Sequence, residues 1–191
     1  MNNKRIPQTI GVIFLLITTS VFSKESASDR QKNHSTQINN SNKVEILARA
    51  TSYHSGDVDS AQGKTSSLTP ISTVKQLGLQ AVAVDPNVIP YGSVIIGKNK
   101  DGEEIVGVAV DTGSAVVSRK AAKQYARQKG YSENSPESKA LVLDFHSSNG
   151  DITKAWDNFT VILYKGPDYK FDLNKSEKLE YLKSVRANYL M

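Results

Sequence analysis

Three times along this chain a short apolar run ends in an aspartate: Ala81-Val82-Ala83-Val84-Asp85, Gly107-Val108-Ala109-Val110-Asp111 and Ala140-Leu141-Val142-Leu143-Asp144. Each run has the length and apolar character of a strand. A carboxylate placed straight after such a run is costly to bury without partners. Three strands that each deliver one point to a single acidic site. Gly113 turns the chain soon after the second aspartate, and Pro86 follows the first at once.

Around these runs the chain alternates strand and turn signals. Val44 to Tyr53 suits a strand with Glu45, Leu47, Arg49, Thr51 and Tyr53 on one face. Ser55 to Ser67 reads as a loop, and Thr69-Pro70 as the cap and first residue of a short helix closed by Gly78. Asp85 to Gly92 is a proline-bracketed turn, because Pro86 and Pro90 push the residues before them out of helix. Ser93 to Ile96 is a strand, Lys98 to Gly102 a hairpin turn signalled by Asp101-Gly102, and Glu103 to Asp111 the second carboxylate strand. Ser118 is expected to cap a helix running to Lys129, with Gly130 past its end. The Arg119, Lys120, Lys123, Arg127 and Lys129 of that helix read as a solvated face. Ser132 to Ser138 is a loop, Ala140 to Phe145 the third carboxylate strand, and Asn158 to Tyr164 the closing strand. After Gly166-Pro167, Asn174 with Glu177 forms a capping pair, opening a helix whose Leu179, Leu182, Val185 and Leu190 pack on the rest. Many short strands with brief helices predict a small barrel. The repeat of Val-Ala-Val-Asp at 82–85 and 108–111 suggests that those two strands are pseudo-twofold mates.

Residues 1–43 stand outside that barrel. Lys4 and Arg5, the apolar run from Ile10 to Phe22 and the small residues Val21 and Ser23 make residues 1–23 a secretory signal peptide. The run is too short, and with Thr18, Thr19 and Ser20 too polar, to span a membrane, so no stable anchor is expected after cleavage. The expected location is the periplasm, cell envelope or extracellular space. Residues 24–43 are almost wholly polar and read as a linker. The barrel domain then spans 44–165 and a helical tail 166–191. Over 191 residues, 38% hydrophobic and 23% charged, the composition is that of an ordinary globular chain. There is no cysteine, so neither disulfides nor lipid attachment enters, and the core alone holds the fold.

Charge excludes one partner class. Removing Lys4 and Arg5 lowers the formal charge of +5 by two, with no arginine-rich block or aromatic interleaving left behind, so nucleic acid is not an expected partner. His54 and His146 with an aspartate are too loose a set for zinc, and neither a metal nor another cofactor is expected. His146 stands two residues beyond Asp144, hence on the same face if the strand continues. Tyr53 and Trp156 suit either a sugar-stacking or a core role.

Taken alone, Val110-Asp111-Thr112-Gly113-Ser114-Ala115 looks like the signature of aspartic proteases, where two such aspartates share a proton. One copy in a chain this short would need a homodimer. The apolar Ile-Gly-Arg-like segment that follows the signature in that family has its only counterpart, Ile95-Ile96-Gly97-Lys98, ahead of it. Asp85 and Asp144 would also be left without a role.

Taken together, Ala50-Thr51-Ser52-Tyr53, Ala83 to Gly92, Ala109 to Ala115 and Leu143-Asp144 resemble the three-aspartate (3D) domain of bacterial cell-wall proteins. That domain is similar to the C-terminal part of membrane-bound lytic transglycosylase A and to stationary-phase survival proteins. The resemblance implies a mainly β fold, a six-stranded double-psi β-barrel, to which the short helices and C-terminal helix are added. It implies an exported, monomeric enzyme acting on peptidoglycan glycan strands. Asp144 would be the catalytic acid/base, with Asp85 and Asp111 lining the catalytic site and Tyr53, Thr65, Thr112, Gly113 and His146 near the substrate. Residues 112–143 are longer than the usual spacing, and Gly113-Ser114 replaces the usual Gly-Gly. A lytic transglycosylase uses one group first as acid, then as base on the sugar's own 6-hydroxyl, so that group must hold a proton near neutral pH. Leu143 and Phe145 as apolar flanks, with Asp85 and Asp111 as neighbouring anions, are expected to raise the Asp144 pKa. A hydrolase using Asp111 or Asp85 as second carboxylate, and a barrel that binds wall glycan without cutting it, are the alternative functions.

Overall fold

The computed structural model describes residues 42–54, 65–98, 104–147, 158–164 and 171–190. The expected leader, most of the linker, Lys64, the Asp101-Gly102 turn and Trp156 lie outside them. Six strands close into a barrel: β1 (Lys43–Tyr53), β2 (Gln80–Ala83), β3 (Val94–Lys98), β4 (Glu104–Asp111), β5 (Leu141–His146) and β6 (Asn158–Ile162). Their order around the barrel is β1-β5-β2-β4-β3-β6. β1 with β5 and β2 with β4 are parallel, and the other neighbours antiparallel. The fold is therefore the mainly β, six-stranded barrel expected, with a few short helices and a C-terminal helix.

The pairing pattern repeats when β1, β2 and β3 are exchanged for β4, β5 and β6, the twofold logic of a double-psi barrel. The repeated Val-Ala-Val-Asp segments are not the mates in that exchange. They lie side by side, Val82 opposite Ala109 on parallel strands, and β4 is instead the counterpart of β1.

Alternation along the strands builds the core. An interior cluster draws on every strand: Ala48, Val82, Ile95, Ala109, Leu143, Phe145, Phe159 and Val161 are all buried together. Phe145 and Phe159 stack there at 5.8 Å. Gly97 and Gly107 are what let this interior close. A Cβ at Gly97 would come within 2.5 Å of the Phe159 ring, and one at Gly107 within 2.5 Å of Val82.

Among the described residues five helices cover the outside: α1 (Ile71–Gln76), α2 (Ser114–Val117), α3 (Lys120–Gln128), α4 (Pro136–Lys139) and α5 (Lys175–Tyr189). α1 and α5 bury Ile71, Val74, Leu182 and Val185 against Ala81, Val94, Val106, Val108 and Val110. α2, α3 and the residue after α4 bury Val116, Ala122 and Ala140 against Ala83 and Val142. α5 opens with the expected capping box: Asn174 Oδ1 accepts from Ser176 N and Glu177 N, each 3.0 Å, and Glu177 returns a carboxylate oxygen to Asn174 N at 2.9 Å.

Two expected caps are corrected. Pro70, not Thr69, is the N-cap of α1, with no side-chain cap, and the Thr69 hydroxyl lies 2.9 Å from the Ser67 hydroxyl. Ser118 closes α2 instead of opening a long helix: Arg119 takes a left-handed φ of 54° and splits the segment into α2 and α3. The Arg119 guanidinium donates to Lys139 O at 2.8 Å, which ties this kink to the end of α4. The expected Ser132–Ser138 loop contains the start of α4, whose N-cap is Ser135.

Candidate active site

Inward residues fill the barrel, so their neighbours in sequence face outward. With Ala50, Leu143 and Phe145 inside, Thr51, Tyr53, Asp144 and His146 share the outer face of β1 and β5. The register sets Thr51 beside Asp144 and Tyr53 beside His146. On the other side of Asp144, β2 places Ala83 directly opposite it.

Asp111 reaches the same face through an irregularity. The β2–β4 register runs Val82 to Ala109 and then Ala83 to Asp111, so Val110 is an extra residue. Strict alternation would send Asp111 inward with Ala109; the bulge turns it onto the Ala83 face. Ala83 thus has Asp144 on one side and Asp111 on the other, two strand spacings apart or about 10 Å between backbones. Its methyl group leaves the floor between them low.

Both carboxylates accept hydrogen bonds. Asp111 Oδ1 accepts from Ser66 N at 2.9 Å, Ser66 Oγ at 2.8 Å and Thr112 N at 2.9 Å. Its Oδ2 accepts from the Tyr53 hydroxyl at 3.1 Å. Four donors come close to the capacity of a carboxylate. Asp144 Oδ1 accepts from Thr51 Oγ1 at 2.6 Å. Asp85 is adjacent in the chain, beyond the Val84 N to Asp111 O bond of 2.9 Å. Its Oδ1 accepts from Asn87 N and Nδ2 at 3.0 and 3.1 Å, the arrangement of an Asx turn.

Tyr53 joins the two carboxylates electrostatically. Burial, then the Asp111 charge and hydrogen bond, then the Asp144 charge, push its phenol pKa up, so it stays a donor. His146 shares their face, as expected if the strand continued. It is 3% exposed, meets the Tyr53 ring edge-on at 5.2 Å, and has no hydrogen-bond partner on either ring nitrogen. Burial, then the nearby Lys75 charge, lowers its pKa; its own backbone and the Asp111 charge oppose this, and His54 adds to it.

The remaining expected residues divide. Thr112 is at the site twice over, through its amide to Asp111 and its hydroxyl to Val84 O at 2.7 Å. Gly113 is the N-cap of α2, and a Cβ there would meet open space. Thr65 is turned inward, 3% exposed, with its hydroxyl on Thr69 O at 2.9 Å; its neighbour Ser66 is the one that meets Asp111. Tyr91 also belongs to the site: burial raises its phenol pKa, the Ser66 and Thr112 side chains lower it and the Asp111 charge raises it. Leu143 and Phe145 do not wall Asp144, since both lie in the interior on the opposite face. A groove of about 550 Å³ at the start of β1 holds Glu45, Leu47, Lys98, Glu104 and Thr160 and none of the aspartates.

No family model, no curated protein and no solved structure matches this chain. The site must therefore be read from its own chemistry. It offers a carboxyl group on Asp144 beside a hydroxyl donor, and a second carboxylate fixed by four donors. A phenol bridges toward both, over a floor with no bulky side chain. That set can donate and recover a proton at one point while holding a fixed negative charge nearby.

Proposed function

We propose that this chain is an exported peptidoglycan-cleaving enzyme of the lytic transglycosylase type, with Asp144 as acid and then base. What supports the reading above all is the placement of Asp144 and Asp111 on either side of Ala83. The Asp144 carboxyl gives its proton to the glycosidic oxygen as that bond breaks, and an oxocarbenium-like centre develops. The resulting carboxylate then takes the proton of the sugar's own 6-hydroxyl, whose oxygen closes the 1,6-anhydro ring. The proton count balances, no water is consumed, and Asp144 returns to its starting form.

Four donors hold the Asp111 side chain in place as the cationic centre forms. The same four donors argue against the protease reading, in which this aspartate would share a proton with its copy in a dimer. Asp85 shapes the turn beside the site. The leader-like residues 1–23 and the resemblance to 3D domains support wall glycan outside the cytoplasm as the substrate. Purified peptidoglycan incubated with the chain and resolved by mass spectrometry tests this. Products lighter by one water than hydrolysis products support a transglycosylase. Reducing-end products transfer the reading to a hydrolase, and intact glycan with retained binding to a wall-binding barrel.

A further inference from the structure

α5 carries a cation on its buried face. Lys178 is 8% exposed, beside Leu182 and Val185 at 0%, and its ammonium sits 5.5 Å over the Phe171 ring. A leucine or methionine would fill such a place without desolvating a charge. The buried ammonium has a specific partner: it donates to the main-chain oxygen of Ser67 at 2.5 Å.

Ser67 is the hub of the loop that reaches Asp111. Its amide donates to Val110 O at 3.0 Å, which fastens the loop to β4 beside the bulge. Its hydroxyl lies 3.1 Å from Thr65 Oγ1 and 2.9 Å from Thr69 Oγ1, and all three side chains are buried. Ser66, immediately before it, faces outward and gives both its amide and its hydroxyl to Asp111 Oδ1. The loop is thus clamped by β4 on one side and by α5 on the other.

We propose that Lys178 is a positioning residue for the aspartate site: through the Ser67 carbonyl, the C-terminal helix holds Ser66 against Asp111. The inference rests on the reading of that site as catalytic. Burial lowers the Lys178 pKa while the Asp172 charge opposes this, which marks the ammonium as a cost to the fold that the contact with Ser67 offsets.

The test replaces Lys178 by Met, which keeps length and packing but donates nothing. Thermal stability should be retained or raised. The Ser66 amide proton should move upfield in the NMR spectrum and exchange with water at least about tenfold faster, as its bond to Asp111 loosens. Turnover of peptidoglycan should fall about ten- to a hundredfold with KM little changed, the signature of a misplaced group and not of lost binding. Lys178→Arg, which keeps a donor, should bring both readouts back toward wild type. Lys178→Leu serves if the Met variant does not fold. An unchanged Ser66 amide in a folded apolar variant overturns the proposal, as does equal loss of activity in the Arg and Met variants. Absence of anhydro products from the wild type rejects the enzymatic reading. The Ser66 amide then still decides the strut, upheld by its change and overturned by its constancy.

Discussion

The Tyr53 hydroxyl lies 3.1 Å from Asp111 Oδ2, although Tyr53 stands on β1 and Asp111 on β4, with β5 and β2 between them. The reach works because Ala83 leaves the intervening surface low. Tyr53→Phe should cost about 1.5 to 3 kcal/mol, the range for a hydrogen bond to a charged group. Urea unfolding measures it. The folded pKa is raised above the ordinary 10.0, so this stabilisation is complete below pH 10 and fades as pH rises beyond it. A Tyr53→Phe protein as stable as wild type at pH 8 would mean that the contact does not form in solution.

Asp144→Asn should lower cleavage by about 10² to 10⁴-fold, the size of a general acid–base contribution. Folding should survive, since the amide oxygen still accepts from Thr51. Asp111→Asn should behave in the opposite sense, losing less activity and more stability, because it replaces the acceptor of four donors. Turnover and denaturation of both variants side by side check the assignment. Equal activity of Asp144→Asn and wild type would remove Asp144 from the chemistry.

His146 gives a pH dependence of defined sign. Its folded pKa lies below the ordinary 6.5, so the unfolded chain binds a proton first as pH falls. Stability from this group is full above pH 6.5 and is lost as pH drops toward the lower folded value. Wild-type Tm should therefore fall between pH 7 and 5 more steeply than that of His146→Phe, which keeps an aromatic ring against Tyr53. Parallel melting curves across that range would dismiss the effect.

Gly97→Ala tests barrel closure. The added methyl would lie 2.5 Å from the Phe159 ring, and Phe159 is itself stacked on Phe145. Overpacking of this kind costs about 1 to 3 kcal/mol. Gly113→Ala, with open space around its Cβ, should leave Tm within about a degree, the scale of a surface change. Differential scanning calorimetry of the pair compares them directly; equal Tm values would mean that Phe159 yields without cost.

The barrel was legible because its strands are apolar runs punctuated by Gly, Pro and Asp, and the α5 capping box because its partners are three residues apart. The ring order was less so. Thr51 and Asp144 are 93 residues apart, and the Val-Ala-Val-Asp repeat suggested a symmetry that parallel neighbours do not have. Asp111's aim depended on a bulge between β2 and β4 that no local signal announces. Leu143 and Phe145 cannot flank Asp144 in space, since residues adjacent in a strand face opposite ways. Ser118 failed as a cap because Arg119, an unfavourable residue for a left-handed turn, takes one under tertiary constraint. Thr65 and Ser66 were separable only by the fold, since both carry hydroxyls and only one is turned to Asp111.

Residues 112–140 leave the barrel from Asp111 on β4 and rejoin it at Leu141 on β5, the two strands that flank β2. The gap they bridge is fixed by the width of one strand, whatever their length. That makes the exposed middle of the segment exchangeable. Its ends stay bound to the scaffold, Thr112 to Asp111 and Val84 and the buried Val116, Ala122 and Ala140 to Ala83 and Val142, so its exposed middle is the part free to vary. What covers the site and what sits on its floor are then separately editable properties of one scaffold.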